Sequence, residues 1–199
     1  MKGITKNLVL VLAIAVVLAG CKAPTQLSDT TKASLEEVTK AGADKYAVPE
    51  LKGLNDKLTA AQDEIAAQDK KFFKKFGPAK EMLTNLGTEI EALKAALPDK
   101  IEAAKNEAIK LQGEAKAAID EAKTLLAKAP TGKGTKKDID ALKADLAGAE
   151  TAFAEIQTAI DGKDYVAAQD KANSIKAKAA DVAAQVKAAI EKVTGKKIG

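Results

Sequence analysis

Apolar side chains recur along most of the chain at steps of three and four residues. One such series is Leu51, Leu54, Leu58, Ala61 and Ile65, and similar series run from 72 to 97, 101 to 125, 139 to 160 and 165 to 193. This spacing places the apolar residues on one face of a helix, as in a heptad seam. No segment shows the alternation of a half-buried strand. The pattern therefore predicts an all-α fold.

Proline and glycine mark the helix boundaries in the first half of the chain. We expect a first short helix from about Asp29 to Gly42 and a second that opens at Pro49, because proline suits a first helical turn. The polar residues 66–71 predict a turn, and Gly77-Pro78 should kink or interrupt the helix that follows. At Pro98 we favour a new helix that starts at Asp99 over one continuous, kinked helix.

The second half of the chain predicts a helical hairpin after a linker. Residues 129–137 contain one proline, two glycines and three lysines, and they indicate a solvated linker. Two seams then flank the four-residue turn 161–164, which is typical of an antiparallel hairpin. The predicted organisation is a signal peptide (1–20), a lipidated tether (21–28), a helical region with the first hairpin and a long middle helix (29–128), a linker (129–137), a second hairpin (138–194) and a tail (195–199). The fold class is all-α, with elongated antiparallel hairpins or a bundle held by Ala/Leu seams.

The first twenty-one residues are typical of a bacterial lipoprotein signal. Lys2 and Lys6 precede an apolar run over residues 8–18, which spans about 16 Å as a helix and is too short to cross a bilayer core of about 30 Å. A basic start, a short apolar run and small residues before a cut describe a secretory signal. The lipobox is Leu18, Ala19, Gly20 and Cys21.

Cys21 is the predicted site of lipid attachment, on its sulfur and its amine. It is the only cysteine, so a disulfide within the chain is excluded. Several acyl chains, such as palmitate, would hold the protein on a membrane stably. The next residue is Lys22 and not the aspartate of an inner-membrane retention signal. We therefore expect a lipid-anchored envelope protein, on the outer membrane and facing the periplasm if the cell is Gram-negative.

Composition argues against catalysis, cofactors and nucleic acid. The chain has no His, Arg or Trp, and its formal net charge is +4. Catalysis at neutral pH usually relies on His or an activated thiol, and phosphate or base recognition favours Arg. Carboxylates alternate with lysines on helical faces, which is typical of a solvated, ion-paired surface. We expect no enzyme activity, no catalytic, cofactor or metal site, and no nucleic-acid partner.

Three of the six aromatic residues lie close together, at Phe72, Phe73 and Phe76. Phe72 and Phe76 fit the heptad steps, so we expect both in the core. Phe73 lies off that seam and is the candidate for a partner-contact patch.

Residues 41–51, Ala-Gly-Ala-Asp-Lys-Tyr-Ala-Val-Pro-Glu-Leu, resemble the opening motif of family 4398 of the domains of unknown function. The turn at 161–165, followed by Ala168 and Ala172, is similar to that family's second-helix turn. Val48 departs from the family pattern, and the two motifs fall in different hairpins. The resemblance implies a helical, tetratricopeptide-like domain of a bacterial envelope protein, often a lipoprotein, near the cell wall and without known enzymatic activity. It implies no functional residue.

These patterns favour a membrane-anchored, non-catalytic helical scaffold or spacer. Its partners would be the membrane, through lipidated Cys21, and an unidentified envelope protein or the cell wall. The alternative is a periplasmic chaperone or carrier that binds apolar cargo between hairpins. Heptad seams can pack against helices of the same chain or against a second copy of the chain, and the pattern fits both.

Overall fold

The computed structural model describes residues 22–130 and 135–195, and every regular element in these ranges is a helix. The all-α prediction is confirmed. In chain order the elements are α1 (Thr25–Val38), a π-helical turn (Thr39–Ala43), α2 (Asp44–Tyr46), α3 (Val48–Asp69), α4 (Gly77–Ala127), α5 (Lys136–Asp161) and α6 (Tyr165–Thr194).

The described residues form two compact units. Unit 1 contains residues 22–36 and 53–90, which are most of α1, most of α3 and the start of α4. Unit 2 contains residues 37–52, 91–130 and 135–195, with the rest of α4 and all of α5 and α6. The division therefore falls inside helices and not at the predicted linker.

Helix α1 begins earlier than predicted. It starts at Thr25 instead of about Asp29, so the second half of the predicted tether is helical. Its buried positions step by four and three residues, and most are small or polar: Pro24, Ser28, Thr31, Leu35 and Val38. The Thr31 hydroxyl donates to the Leu27 carbonyl at 2.8 Å. Because that bond satisfies the hydroxyl, a polar residue fits a buried helical face.

Unit 1 contains an antiparallel pairing of α3 with the start of α4. Lys57 of α3 donates to Glu89 of α4 at 2.6 Å, and the chain reverses between Asp69 and Gly77. The predicted turn at 66–71 thus comes later, because α3 stays helical to Asp69. Gly77 and Pro78 open α4 instead of interrupting a helix, as proline suits the first turn. The buried apolar residues of these two segments are Leu54, Leu58, Ala61, Ala79, Leu83, Leu86 and Ile90.

Pro98 does not end a helix, so the favoured break at Asp99 is wrong. Helix α4 is continuous over 51 residues with Pro98 inside it. An interior proline removes one backbone hydrogen bond and costs about 3 kcal/mol or more. Here the proline is exposed, while Leu93 and Leu97 before it are buried. Burial of the stripe on either side of the proline outweighs that cost.

Unit 2 contains a three-helix bundle of α4, α5 and α6. Four side-chain pairs define the directions: Gln112–Gln157 and Lys123–Glu150 between α4 and α5, and Glu114–Lys176 and Glu121–Lys187 between α4 and α6. Their order makes α4 antiparallel to α5 and parallel to α6. The predicted hairpin of α5 and α6 is confirmed, and the second half of α4 shares its core.

Alanine forms much of the core of this bundle. The side chains of Ala108, Ala115 and Ala122 on α4, and of Ala168, Ala172 and Ala179 on α6, are completely buried. Small side chains at these positions allow helix axes to approach closely. The larger core residues, such as Leu142, Leu146, Ile156, Ile175 and Val186, fill the remaining space.

Gly42 ends the first helical run through a backbone conformation that other residues rarely adopt. Its φ is 111°, in the left-handed region that favours glycine. A Cβ at this position would lie 3.3 Å from Cδ2 of Tyr46 and 3.9 Å from Cδ1 of Ile101. The backbone conformation therefore favours glycine here, and a Cβ would also be tight against the Tyr46 ring.

We predict that Gly42→Ala lowers the free energy of unfolding by at least about 1 kcal/mol, because the left-handed conformation costs roughly that much for a residue with a Cβ. Urea denaturation followed by circular dichroism measures the change. Gly148→Ala is the matched control in the same unit: Gly148 is helical, and a Cβ there meets nothing within 4 Å. The control should gain up to about 1 kcal/mol. Equal effects from the two substitutions would contradict this explanation.

Candidate functional site

The predicted lipid-attachment site lies outside the described residues. This applies to Cys21 and to the lipobox residues Leu18, Ala19 and Gly20. The predicted partner-contact residue, Phe73, lies in the loop between α3 and α4 of unit 1.

This loop presents two aromatic rings to solvent. The side chain of Phe72 is 92% exposed and that of Phe73 is 78% exposed. The two rings contact each other edge to face, with centroids 5.0 Å apart and planes at 85°. Two lysines precede them and two follow, and all four are exposed. We call residues 70–75 the aromatic tip.

The exposure of Phe73 is confirmed, but the expected core position of Phe72 is wrong. Only Phe76 is buried, at 1% exposure. The prediction for Phe72 required a helix through this residue, whereas α3 ends at Asp69 and α4 begins at Gly77. Gln68, in the segment 66–71 that was predicted to be a turn, is instead buried at the end of α3. Lys74 and Lys75, which follow the rings, were the overlooked signal that the exposed loop continues past Phe73.

Gln68 and Phe76 hold the two ends of the aromatic tip. The Gln68 side-chain oxygen accepts from the backbone N–H of Lys75 at 3.2 Å, and its nitrogen donates to Glu64 at 2.7 Å. The backbone carbonyl of Gln68 accepts from Lys71 at 3.0 Å. Lys74 forms an ion pair with Asp69 at 2.9 Å. The loop is therefore closed by hydrogen bonds, while its two outer rings stay in solvent.

We predict that the three phenylalanines contribute very differently to stability. Phe76→Ala should lower the free energy of unfolding by about 3–5 kcal/mol, as expected when a buried ring is removed. Phe72→Ala and Phe73→Ala should each change it by less than about 0.5 kcal/mol, because exposed side chains contribute little. Thermal or urea denaturation of the three variants measures these changes. A large loss for Phe72→Ala would contradict its exposed position.

A second cluster of polar contacts lies in unit 2, where residues 45–46 meet the turn before α6. The Tyr46 hydroxyl donates to the Lys163 carbonyl at 2.8 Å and accepts from the Tyr165 N–H at 3.3 Å. The rings of Tyr46 and Tyr165 lie 6.2 Å apart. Lys45 forms an ion pair with Asp164 at 2.8 Å. We call these five residues the tyrosine junction.

The tyrosine junction joins the two segments that carry the family resemblance, residues 41–51 and 161–165. They lie more than a hundred residues apart in the sequence, and the structure brings them into contact. Asp164 also caps α6, accepting from the Ala167 N–H at 3.3 Å. The geometry indicates a structural role, because the Tyr46 hydroxyl, the Lys45 ammonium and the Asp164 carboxylate each bond to a partner within the fold.

The charged pair of the tyrosine junction makes stability depend on pH. The hydrogen bond from Lys45, with a second from the Ala167 N–H, lowers the pKa of the Asp164 carboxyl. The same hydrogen bond, in which Lys45 is the donor to Asp164, raises the pKa of Lys45. A lowered carboxyl pKa stabilises the fold above the unfolded pKa of about 3.9, and this contribution is lost as pH falls through the folded pKa.

We predict that Asp164→Asn is less stable than the parent protein at pH 7, and that the difference shrinks as pH falls below about 4 and is lost below the folded pKa of Asp164. Asparagine caps a helix about as well as aspartate, so this variant removes the charge and keeps the cap. Asp164→Ala removes both and should lose about 1 kcal/mol more at either pH. Urea denaturation at pH 7 and pH 3 provides the comparison. A difference that is as large at pH 3 as at pH 7 would show that the ion pair is not its cause.

Elsewhere in the described part of the chain, the geometry offers little for bound ligands. A groove of about 330 Å³ lies between α5 and α6, and Asp145, Lys178 and Asp181 line it together with small residues. No group of three or more His, Cys, Asp or Glu side chains among the described residues could hold a metal ion. None of the described helices is long and apolar enough to cross a membrane.

Comparisons with protein-family models, with curated proteins and with solved structures find no match. The resemblance to family 4398 therefore stays a hypothesis. Function has to be argued from the chain itself.

Proposed function

We propose that this protein is a lipid-anchored envelope lipoprotein that acts as a non-catalytic helical scaffold or spacer. The observation that carries the proposal is the lipobox Leu18-Ala19-Gly20-Cys21 directly ahead of a helical fold. Its partners would be the membrane, through Cys21, and an envelope protein or the cell wall.

The start of α1 supports this proposal. Helix α1 begins at Thr25, four residues after Cys21. Four residues span at most about 14 Å, so a lipid on Cys21 would hold the first helix close to the membrane surface. A lipid attached so near to a helix positions the folded part, whereas a long linker would leave it free to move away.

The close helix packing favours a scaffold over the alternative, a carrier of apolar cargo. Alanines at 0% exposure form much of the core of unit 2, which leaves little internal volume for cargo. Charged side chains line the groove between α5 and α6, whereas binding sites for apolar ligands are mostly apolar. Ion pairs cover the helix surfaces, as expected for solvated faces.

We predict that Cys21→Ser abolishes lipid attachment and leaves the helical fold unchanged. Labelled palmitate supplied to the expressing bacterium should enter the parent protein and not the variant, because only Cys21 has a thiol. Ser174→Cys in the Cys21→Ser background is the matched control, since it restores an exposed thiol away from the lipobox and should stay unlabelled. Palmitate labelling of Cys21→Ser would contradict the proposed anchor.

A further inference from the structure

We propose that the aromatic tip docks into the headgroup region of an anionic phospholipid bilayer, as a membrane contact separate from the lipid at Cys21. The inference goes beyond the scaffold function. It rests on the geometry of residues 68–76 and on the direction of α1, and it holds whether or not Cys21 carries a lipid.

The first argument is the chemistry of the aromatic tip. Phe72 and Phe73 expose 92% and 78% of their side chains, whereas the neighbouring Phe76 is buried. Aromatic rings gain from leaving water at the boundary between headgroups and acyl chains. Two exposed lysines precede the rings in the sequence and two follow them, so positive charge lies beside the apolar pair. Basic residues next to inserted apolar ones are the combination that binds anionic leaflets.

The second argument is the net charge of the aromatic tip. Residues 70–75 contain four lysines and no acidic residue, and the nearest carboxylate is Asp69, which pairs with Lys74. A nearly neutral protein thus concentrates positive charge around its most exposed aromatic residues. The charge complements anionic headgroups and disfavours contact between two copies of the loop.

The third argument is that the loop is already shaped for docking. Gln68 closes it through the N–H of Lys75, and the buried ring of Phe76 fixes its other end. The two outer rings contact each other and are not folded back into the core. A loop ordered before binding loses less conformational entropy when it docks.

The fourth argument is that the aromatic tip and the start of α1 lie at the same end of unit 1. Glu37, the residue after the unit 1 part of α1, pairs with Lys94 of α4 at 3.3 Å. From this pair the helices run back about 18 Å to Thr25 and about 26 Å to Gly77. Residues 25–36 and 77–90 belong to one compact unit, so the two helices run side by side in the same direction. The start of α1 therefore lies at the end of unit 1 that carries the loop.

This placement lets the aromatic tip contact the membrane that would hold Cys21. A lipid on Cys21 would fix where the chain meets the membrane, but it would not fix the orientation of the helices relative to the bilayer. A second contact at the same end of unit 1 would orient α1 and the hairpin of α3 and α4 on the bilayer surface.

The experiment uses a tryptophan as a unique reporter, because the chain has none. Phe73→Trp is introduced into the full chain, which is reconstituted in vesicles of phosphatidylcholine with or without 30% phosphatidylglycerol (about one lipid in three, enough for a strongly negative surface). We expect a blue-shifted emission and quenching by brominated acyl chains on the anionic vesicles only. Ile109→Trp in α4, at a site 47% exposed, is the control and should show neither effect.

The charge is tested with matched lysine pairs in the Phe73→Trp background. Lys70→Gln with Lys71→Gln should weaken insertion about fivefold for each lysine removed, hence about 25-fold for both. Lys136→Gln with Lys137→Gln removes two adjacent exposed lysines at the start of α5 and should leave insertion unchanged.

Three results would overturn the proposal. The first is quenching at position 73 that does not exceed quenching at position 109. The second is equal insertion into zwitterionic and anionic vesicles. The third is a dimer in sedimentation experiments that Phe72→Ser with Phe73→Ser converts to a monomer, which would assign the rings to a second copy of the chain. Palmitate labelling tests the lipid anchor at Cys21, and tryptophan fluorescence tests the docking of the aromatic tip. Either proposal can therefore fail without the other.

Discussion

The rest of the structure depends on one interaction, the burial of a narrow apolar stripe on each helix. The chain has a single cysteine, and exposed ion pairs contribute little to stability, so burial of apolar surface is the main stabilising term. In unit 2 much of that stripe is alanine, which contributes little area for each residue. The helices must therefore run close together over many turns. This requirement explains why α4 continues through Pro98: a break there would separate the stripe that packs at Leu93 and Leu97 from the rest of the helix.

The polar contacts act within that constraint by selecting one arrangement of segments. Stripes of alanine and leucine resemble one another, so burial by itself allows several alignments along the helices. The tyrosine junction distinguishes between them, because the Tyr46 hydroxyl meets the backbone at Lys163 and Tyr165 in one alignment only. Gly42 provides the bend that brings Tyr46 there. A positive φ at one glycine thus decides which part of unit 2 the segment after α1 covers.

The aromatic tip departs from the pattern of the fold. Two large rings stay in water while alanines are buried, and lysines surround them. Stability does not require this arrangement, because Gln68 and Phe76 already close the loop. An exposed apolar pair that the fold does not need is best explained by a surface outside the molecule. Its position at the same end of unit 1 as the start of α1 connects this loop with the lipoprotein signal that the sequence predicts.

The sequence by itself determined the helical class, the seams and the hairpin of α5 and α6, and it predicts a lipobox, because each of these patterns depends on neighbours a few residues apart. Local patterns failed where a distant partner decided the outcome. Ser28 was predicted to lie in the tether but is buried on α1, and Phe72 fits a heptad but lies in a loop. Pro98 predicts a break, yet packing on both sides keeps the helix continuous. Only the tertiary structure decided which stripes meet, that Tyr46 contacts residues 163–165, and that the start of α1 shares an end of unit 1 with the aromatic tip. These outcomes depend on contacts between residues far apart in the chain, whose free energies no local spacing encodes.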